Sequence, residues 1–232
     1  MPDSELDALE HYLGSAAFVT SWTFPNPGQH RSYVLVLEGG VGVLAKPEDA
    51  PGLAAAPVMI RREVAAWIIA RYLGWTDLVS ASKLRLIPSP ISGADVYASL
   101  HVLWPNSVPD VDARFSDEDV WRAAVFDAVI GQTDRGGHNW LAVPDPAGGA
   151  TVPTRLVLID HGNSLQPGVY APSSTFYTRR AGQRIPDEHL DALEELLNRL
   201  PGQLTGLVDA GEAGGVADRV LTLVNKRVLE LP

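Results

Sequence analysis

The chain has 232 residues, of which 46% are hydrophobic and 20% are charged, and its formal net charge is -10. This composition supports a sizeable core in one domain or two small lobes, and the acidic balance argues against nucleic-acid binding. Without cysteine, a signal-peptide pattern or a bilayer-length apolar run, the sequence excludes disulfides and thiolate metal sites, and we expect a cytoplasmic protein without stable membrane insertion.

The first part of the chain predicts a twisted antiparallel sheet with one long helix. Short β-rich runs bounded by turn residues indicate five strands, over 17–24, 32–38, 41–46, 84–87 and 95–103. The pair Gly39-Gly40 predicts a tight hairpin, which places Lys46 at the end of a strand. Helical periodicity predicts a short helix over 4–13 and a longer one over 57–73.

Glu63 belongs to the longer helix and lies beside an apolar stripe that includes Ile60, Val64 and Trp67. A carboxylate at an apolar border needs a cationic partner. Lys46 is one candidate partner. The other candidates are arginines of the same helix, namely Arg61, Arg62 and Arg71.

A break at 104–106 predicts the boundary between a first lobe, 1–104, and a second, mostly helical lobe, 105–232. The second lobe begins with a helix that Ser116 caps, with Asp119 as its capping-box acid, and that ends near Gly131. We expect an irregular polar segment over 163–185. Two closing helices are predicted over 187–200, stopped by Pro201, and over 216–231, with the linker 211–215 between them.

Two short strands, 139–143 and 155–159, flank a turn rich in proline and glycine. If they pair as an antiparallel hairpin, the start of the first lies beside the end of the second. Asn139 and Asp160 then become neighbours, and Asp134 lies at the same end of the hairpin. The sequence therefore predicts that three polar side chains converge there.

These residue types suit phosphoryl transfer, which needs phosphate clamps, a divalent metal ion and a carboxylate that orients the attacking hydroxyl. Asn139 and Asp160 offer the hard oxygen ligands that Mg²⁺ prefers. Asp134, free of the metal, can accept or orient the proton of the acceptor. Lys46 can hold the nucleotide phosphates, and Glu63 can position Lys46 through an ion pair.

Four segments, in this order, resemble the motifs of one protein family. They are Val43-Leu-Ala-Lys-Pro47, Arg62-Glu-Val-Ala-Ala-Trp67, Asp134-Arg-Gly-Gly-His-Asn139 and Ile159-Asp-His-Gly162. They are similar to the lysine strand, the E-x-A-A helix, the D-R-x-x-x-N catalytic loop and the D-[FH]-G metal motif of atypical kinases. The chain resembles in particular the bacterial kinase-like proteins related to phosphoinositide kinases and HipA-type kinases.

The resemblance implies an α+β, two-lobed protein-kinase-like fold, with an antiparallel sheet in the amino-terminal lobe and mostly helices in the carboxy-terminal lobe. It implies ATP and Mg²⁺ as cofactors, with Asp134 as the catalytic aspartate. In the same family pattern, Asn139 and Asp160 bind the metal ion. Lys46 binds phosphate, and Glu63 is the ion-pair partner of Lys46. The segment 100–104 would be the hinge that faces the adenine, and the loop 25–32 would cover the phosphates. The expected nucleotide contacts there are Leu100, Val102, Leu103, Ser32 and Gly28.

Two alternatives stay open beside a kinase that acts on an unidentified hydroxyl acceptor. A pseudokinase would hold a nucleotide or a partner without turnover, and a nucleotidyl transferase would use the same fold. The arginines of the irregular segment form either a solvated loop or a patch that attracts an anionic substrate. His138 and His161 are interpreted as structural, and the oligomeric state is not predicted.

Overall fold

The computed structural model describes residues 2–19, 32–50, 54–89, 91–104, 107, 115–144, 155–168 and 170–230. The strands are β1 (Tyr33–Val36), β2 (Gly42–Pro47), β3 (Ser82–Pro88), β4 (Asp95–Val102), β5 (Trp140–Val143) and β6 (Arg155–Leu158). The helices are α1 (Asp3–Ser15), α2 (Ala56–Tyr72), α3 (Asp117–Ile130), α4 (Thr175–Arg180), α5 (Asp187–Gln203) and α6 (Ala210–Lys226).

The first half of the chain forms a four-stranded antiparallel sheet in the order β1-β2-β4-β3. The predicted hairpin between β1 and β2 is confirmed, and both glycines of its turn have positive φ angles, 88° at Gly39 and 86° at Gly40. Such angles favour glycine because other side chains clash with the backbone there. The predicted strand 17–24 falls largely outside the described residues, and its described part contributes a bridge from Phe18 to Leu37.

Helix α3 follows its predicted caps at both ends. The Ser116 side chain accepts a hydrogen bond from the Asp119 N–H, and Gly131 closes the helix in the left-handed conformation at φ 59°. The expected capping role of the Asp119 carboxylate is wrong, because this carboxylate pairs with Arg122 one turn along the helix. A hydrogen bond to a nearby guanidinium is charge-assisted and therefore stronger than one to a neutral backbone N–H.

The carboxy-terminal third is more helical than the sequence indicates. The short helix α4 lies in the segment expected to be irregular, and α5 continues past Pro201 to Gln203. The predicted linker 211–215 is instead the start of α6, which a capping box of Asp209 and Glu212 initiates. Packing overrides the low helix propensity of glycine there.

The second sheet is the antiparallel hairpin of β5 and β6, with Trp140 opposite Leu158. Leu158 also bridges Val79, which connects this hairpin to the segment after α2. None of the helices in the described ranges has the length and apolarity that a bilayer crossing needs. The division into 1–104 and 105–232 stays a prediction, because most of residues 105–114 lie outside the described part.

Candidate active site

Lys46, at the end of β2, lies between two carboxylates. Its Nζ donates to Glu63 Oε1 on α2 and to Asp160 Oδ1 at 2.9 Å, and the residue is only 6% exposed. A buried ammonium is stable only when it is paired in this way. The predicted ion pair of Lys46 and Glu63 is therefore present in the structure.

The other candidate partners of Glu63 are engaged elsewhere. The Arg62 guanidinium pairs with Glu212 of α6, and that of Arg71 pairs with Asp7 and Glu10 of α1. Arg61 donates to a backbone carbonyl in the loop after α5. These arginines connect α2 to its surroundings, and Glu63 forms its ion pair with Lys46 and not with them.

The charges of the three groups depend on one another. Burial lowers the pKa of Lys46, but the charges of Glu63 and Asp160 outweigh this effect and raise it above its ordinary value. The Lys46 ammonium in turn holds the pKa of Asp160 well below its usual range. Burial raises the pKa of Glu63, while Lys46 opposes that rise. Lys46 and Asp160 are thus both charged at neutral pH.

Glu63 also contacts the segment that carries Asp160. Its Oε2 accepts a hydrogen bond from the backbone N–H of His161 at 2.9 Å. The next residue, Gly162, lies against α2, where an added Cβ would meet Met59 Cε at 3.0 Å and Met59 Cβ at 3.1 Å. Because glycine has no Cβ, Gly162 allows the segment after Asp160 to pack closely against Met59 of α2.

The loop that carries Asp134 is held by polar side chains. Gln132 is fully buried, and its Oε1 accepts from the N–H groups of Thr133 at 3.0 Å and Asp134 at 3.2 Å. Its Nε2 donates to the Asp160 carbonyl at 3.2 Å, and Asn139 Nδ2 donates to the Asp134 carbonyl. Gln132 thus connects the backbones of Asp134 and Asp160, a role that no pattern in the sequence indicated.

Arg135 is a second residue whose role the sequence analysis missed. Its side chain is fully buried with that of Asp127, and the two form an ion pair at 2.9 Å. The guanidinium also donates to the carbonyls of Asn139 and Ile159 and to His161 Nδ1 at 3.0 Å. A signal existed in the sequence, because a carboxylate within the apolar run of α3 requires a buried partner.

Asn139 and Asp160 lie side by side at the open end of the hairpin, as the predicted pairing requires. The Ile159 N–H donates to the Asn139 carbonyl at 3.1 Å. The side chain of Asp160 is 40% exposed, and its backbone has a left-handed φ of 58°. Since the Asn139 amide nitrogen is committed to a carbonyl, its amide oxygen is the atom left for a cation. An ionised carboxylate and an amide oxygen fit the ligand preferences of Mg²⁺.

The predicted hinge has most of its described N–H groups already paired. Leu100 is fully buried in the sheet, the Val102 N–H donates to Ala81, and the Leu103 N–H donates to Gly42, both at 3.0 Å. An adenine at this segment would therefore depend on its carbonyl groups and its flanking side chains.

His101 of β4 is a further partly buried residue whose ring lies close enough to Lys46 to be affected by its charge. Its Nε2 lies 2.9 Å from Ser99 Oγ, and Ser99 is the cross-strand partner of Lys46. Burial and the Lys46 charge lower the pKa of His101 to about 3, so the ring is neutral. Ser32, half-buried before β1, lies within the described residues, whereas Gly28 and the rest of 20–31 fall outside them.

An open groove of about 790 Å³ lies beside Asp134. Asp134 is exposed, and its carboxylate accepts no hydrogen bond within the described ranges. The groove wall combines the small or apolar residues Gly136, Ala171 and Pro172 with polar ones, which include Ser173, Thr175, Thr178 and Arg179. An acceptor molecule in the groove would thus meet a free carboxylate.

A cationic patch, one of the two interpretations of the arginines in 163–185, would retain only one residue with an uncompensated charge among the described ones. Arg180 pairs with Asp117, and Arg184 pairs with Asp187 at 2.8 Å. Arg179 lines the groove, and the described part of the chain provides no ion pair for it. The charges of the other two arginines are compensated by their neighbours.

No family model and no curated protein matches this sequence. The structure of the Golgi casein kinase with Mn/ADP bound matches with a TM-score of 0.67 at 12% identity, over 99% of this chain and 77% of that chain. A second structure of the Golgi casein kinase gives 0.65 at 12% identity, over 99% and 75%.

A bacterial structure matches as well. The Helicobacter pylori proinflammatory kinase CtkA gives a TM-score of 0.51 at 10% identity, over 94% of this chain and 95% of that chain. The predicted α+β, two-lobed kinase-like fold is thereby confirmed. At these identities the similarity establishes the fold alone.

Proposed function

We propose that this protein is an ATP- and Mg²⁺-dependent phosphotransferase that acts on a hydroxyl acceptor. The observation that carries the proposal is the buried Lys46, held between Glu63 and Asp160, in the same site as the free carboxylate of Asp134. A charged lysine, an ionised aspartate and a base beside an open groove are the parts that phosphoryl transfer requires. The similarity of the fold to that of a kinase also supports phosphotransferase activity.

Lys46 binds the nucleotide phosphates in this proposal, and Glu63 keeps the ammonium in place. Asn139 and Asp160 hold the metal ion, which when bound supplies positive charge against the phosphate oxygens. The structure of the Golgi casein kinase contains Mn/ADP, which supports a nucleotide and a divalent metal for this fold.

Asp134 orients the acceptor hydroxyl and accepts its proton. The acceptor enters through the groove beside Asp134, where the oxygens of Thr175 and Thr178, whose protons are donated to backbone carbonyls, can still accept hydrogen bonds and Arg179 offers a positive charge. The adenine lies against the segment of Leu100, Val102 and Leu103, and Ser32 belongs to the loop that covers the phosphates. The relation to phosphoinositide-kinase-like and HipA-type kinases, the two-lobe boundary and a cytoplasmic location are further parts of the proposal.

Calorimetry with a non-hydrolysable ATP analogue, with and without Mg²⁺, tests the nucleotide site. We expect saturable binding that requires the metal and that is lost in Lys46→Ala and Asp160→Asn. The control Asp218→Asn removes an exposed carboxylate of α6 and should bind as the wild type does. Folded protein that neither binds nucleotide nor hydrolyses or transfers phosphate would contradict the proposal.

Turnover separates the proposal from its alternatives. With ATP, we expect phosphate release or transfer that Asp134→Ala abolishes while nucleotide affinity is retained. Binding without turnover, unaltered by Asp134→Ala, would identify a pseudokinase. Mass spectrometry of the modified product distinguishes transfer of phosphate from transfer of AMP.

A further inference from the structure

Three potential metal ligands meet where α3 and α5 begin. Glu118 lies in the first turn of α3, and Glu188 and His189 lie in the first turn of α5. One ligand atom from each residue falls within 4.8 Å of the other two. None of these residues belongs to the candidate active site.

The burial of His189 distinguishes this group from an ordinary cluster of surface carboxylates. The residue is 2% exposed, and its Nε2 is buried without a hydrogen-bond partner among the described residues. That nitrogen lies 3.8 Å from Glu118 Oε2, so it faces the carboxylates. A buried polar nitrogen left unpaired destabilises the folded state, and a bound cation would offset this cost.

The surroundings hold the imidazole in place. The Trp75 ring meets it nearly edge-on at 5.5 Å with an interplanar angle of 82°, and Trp121 lies at 6.5 Å. A ligand whose ring is oriented by packing before the metal arrives loses less conformational entropy on binding. Trp75 follows α2, so three segments of the protein meet at this ring.

The charge balance favours a neutral imidazole beside two carboxylates. Burial lowers the pKa of His189 although Glu118 and Glu188 raise it, and the Arg122 charge lowers it further. Neutral imidazole is the form that binds metals. Arg122 is compensated mainly by Asp77 at 2.9 Å and by Asp119, and its Nε also lies 3.8 Å from Glu118 Oε1, whereas His189 lies against the other oxygen of that carboxylate.

We propose that Glu118, Glu188 and His189 bind a divalent transition-metal ion of the Zn²⁺ type. One imidazole nitrogen and two carboxylate oxygens suit Zn²⁺, whereas Mg²⁺ and Ca²⁺ favour oxygen alone. Tetrahedral Zn²⁺ places its ligand atoms about 3.4 Å apart, so ligand atoms that lie up to 4.8 Å apart need to close by at most about 1.4 Å, which exposed glutamates can do. The ion would connect α3 to α5 beside the end of α2.

Calorimetry and thermal unfolding of chelator-treated protein with Zn²⁺ test this site. The measurements use the full chain carrying Asp160→Asn, because this change removes a metal ligand of the candidate active site. We expect one equivalent of Zn²⁺ to bind and to raise the unfolding temperature. Co²⁺ bound at this site should give visible d–d absorption stronger than that of the hydrated ion, as expected for low-coordinate Co²⁺.

The double variant Glu118→Gln/Glu188→Gln keeps His189 and its packing, so it should fold normally by circular dichroism. We expect its Zn²⁺ affinity to fall at least tenfold. The matched control Glu194→Gln/Asp218→Asn removes two exposed carboxylates elsewhere and should bind as the parent does. Absence of saturable binding in the parent, or equal affinity in the double variant, would overturn the proposal. Neither outcome depends on phosphotransferase activity.

Discussion

Glu63 accepts a hydrogen bond from the His161 N–H at 2.9 Å through one carboxylate oxygen and pairs with Lys46 through the other. One buried carboxylate thus positions both the lysine of β2 and the segment that carries Asp160. This relationship makes Glu63 a structural requirement of the site as well as an ion-pair partner. Its removal should disturb folding and nucleotide binding together.

Glu63→Gln should lower the free energy of unfolding by about 3 kcal/mol, because it removes one charge of a buried pair and leaves the other less compensated. Denaturant unfolding measures this change, and calorimetry should show weaker nucleotide binding. Glu38→Gln, an exposed change in the β1–β2 turn, serves as the control and should cost less than about 0.5 kcal/mol. Equal stabilities of the two variants would disprove the role of Glu63.

Asp134→Asn should lower the rate of phosphate transfer roughly 10²–10⁴-fold, because the amide cannot accept the acceptor proton. Nucleotide affinity should not change, since the Asp134 carboxylate makes no contact with Lys46 or Asp160 in the described residues. Stability should stay within about 0.5 kcal/mol because the residue is exposed. Steady-state kinetics and thermal unfolding check both expectations, and an unchanged rate would exclude Asp134 as the base.

Arg135→Met and Asp127→Asn should each cost roughly 3–5 kcal/mol, because each leaves a fully buried charge unpaired. The double variant should cost less than the sum of the two, since it removes both charges, and a double-mutant cycle measures the coupling. Arg199 and Glu195, whose side chains are both 50% exposed, form the matched control pair. That pair should show a coupling below about 1 kcal/mol. Similar coupling in both pairs would contradict the assigned role of Arg135.

Gly162→Ala should destabilise the protein by about 1–3 kcal/mol, because its Cβ would lie 3.1 Å from Met59 Cβ on α2. The contact involves an atom fixed to a helix backbone, so the neighbour cannot rotate away. Gly214→Ala, within α6 and with open space around it, should instead stabilise by about 0.5–1 kcal/mol. Opposite signs in denaturant unfolding are the expected result, and equal signs would argue against close packing at Gly162.

Much of the site was predictable because its geometry is local. The antiparallel hairpin alone brings Asn139 beside Asp160, and the β1–β2 turn follows from two glycines. The need of Glu63 for a cationic partner was predictable, because a carboxylate at an apolar border requires one, but the fold decided for Lys46 over the arginines of the same helix. The roles assigned to these residues in catalysis stay predictions.

Other features required the folded chain. Gln132 and Arg135 contact groups that lie far along the sequence, and no periodicity indicates which distant carbonyl a buried side chain will reach. The start of α6 is another feature that local sequence patterns did not predict, because it depends on a contact with a distant segment. A Cβ atom added to Gly215 would lie 3.0 Å from the backbone nitrogen of Gly168, so only glycine allows this close contact. Gly215 was expected to interrupt a helix, but it lies within α6 and allows the helix to pack against this neighbouring segment.

The amino-acid sequence thus encodes the order of the motifs, the turn chemistry and the period of each element, because all of these depend on neighbours along the chain. The burial of Lys46, the compensation of its charge by two carboxylates and the orientation of His189 arise only when distant elements pack. Desolvation and ion pairing are set by what surrounds a group in space, which local sequence patterns do not specify.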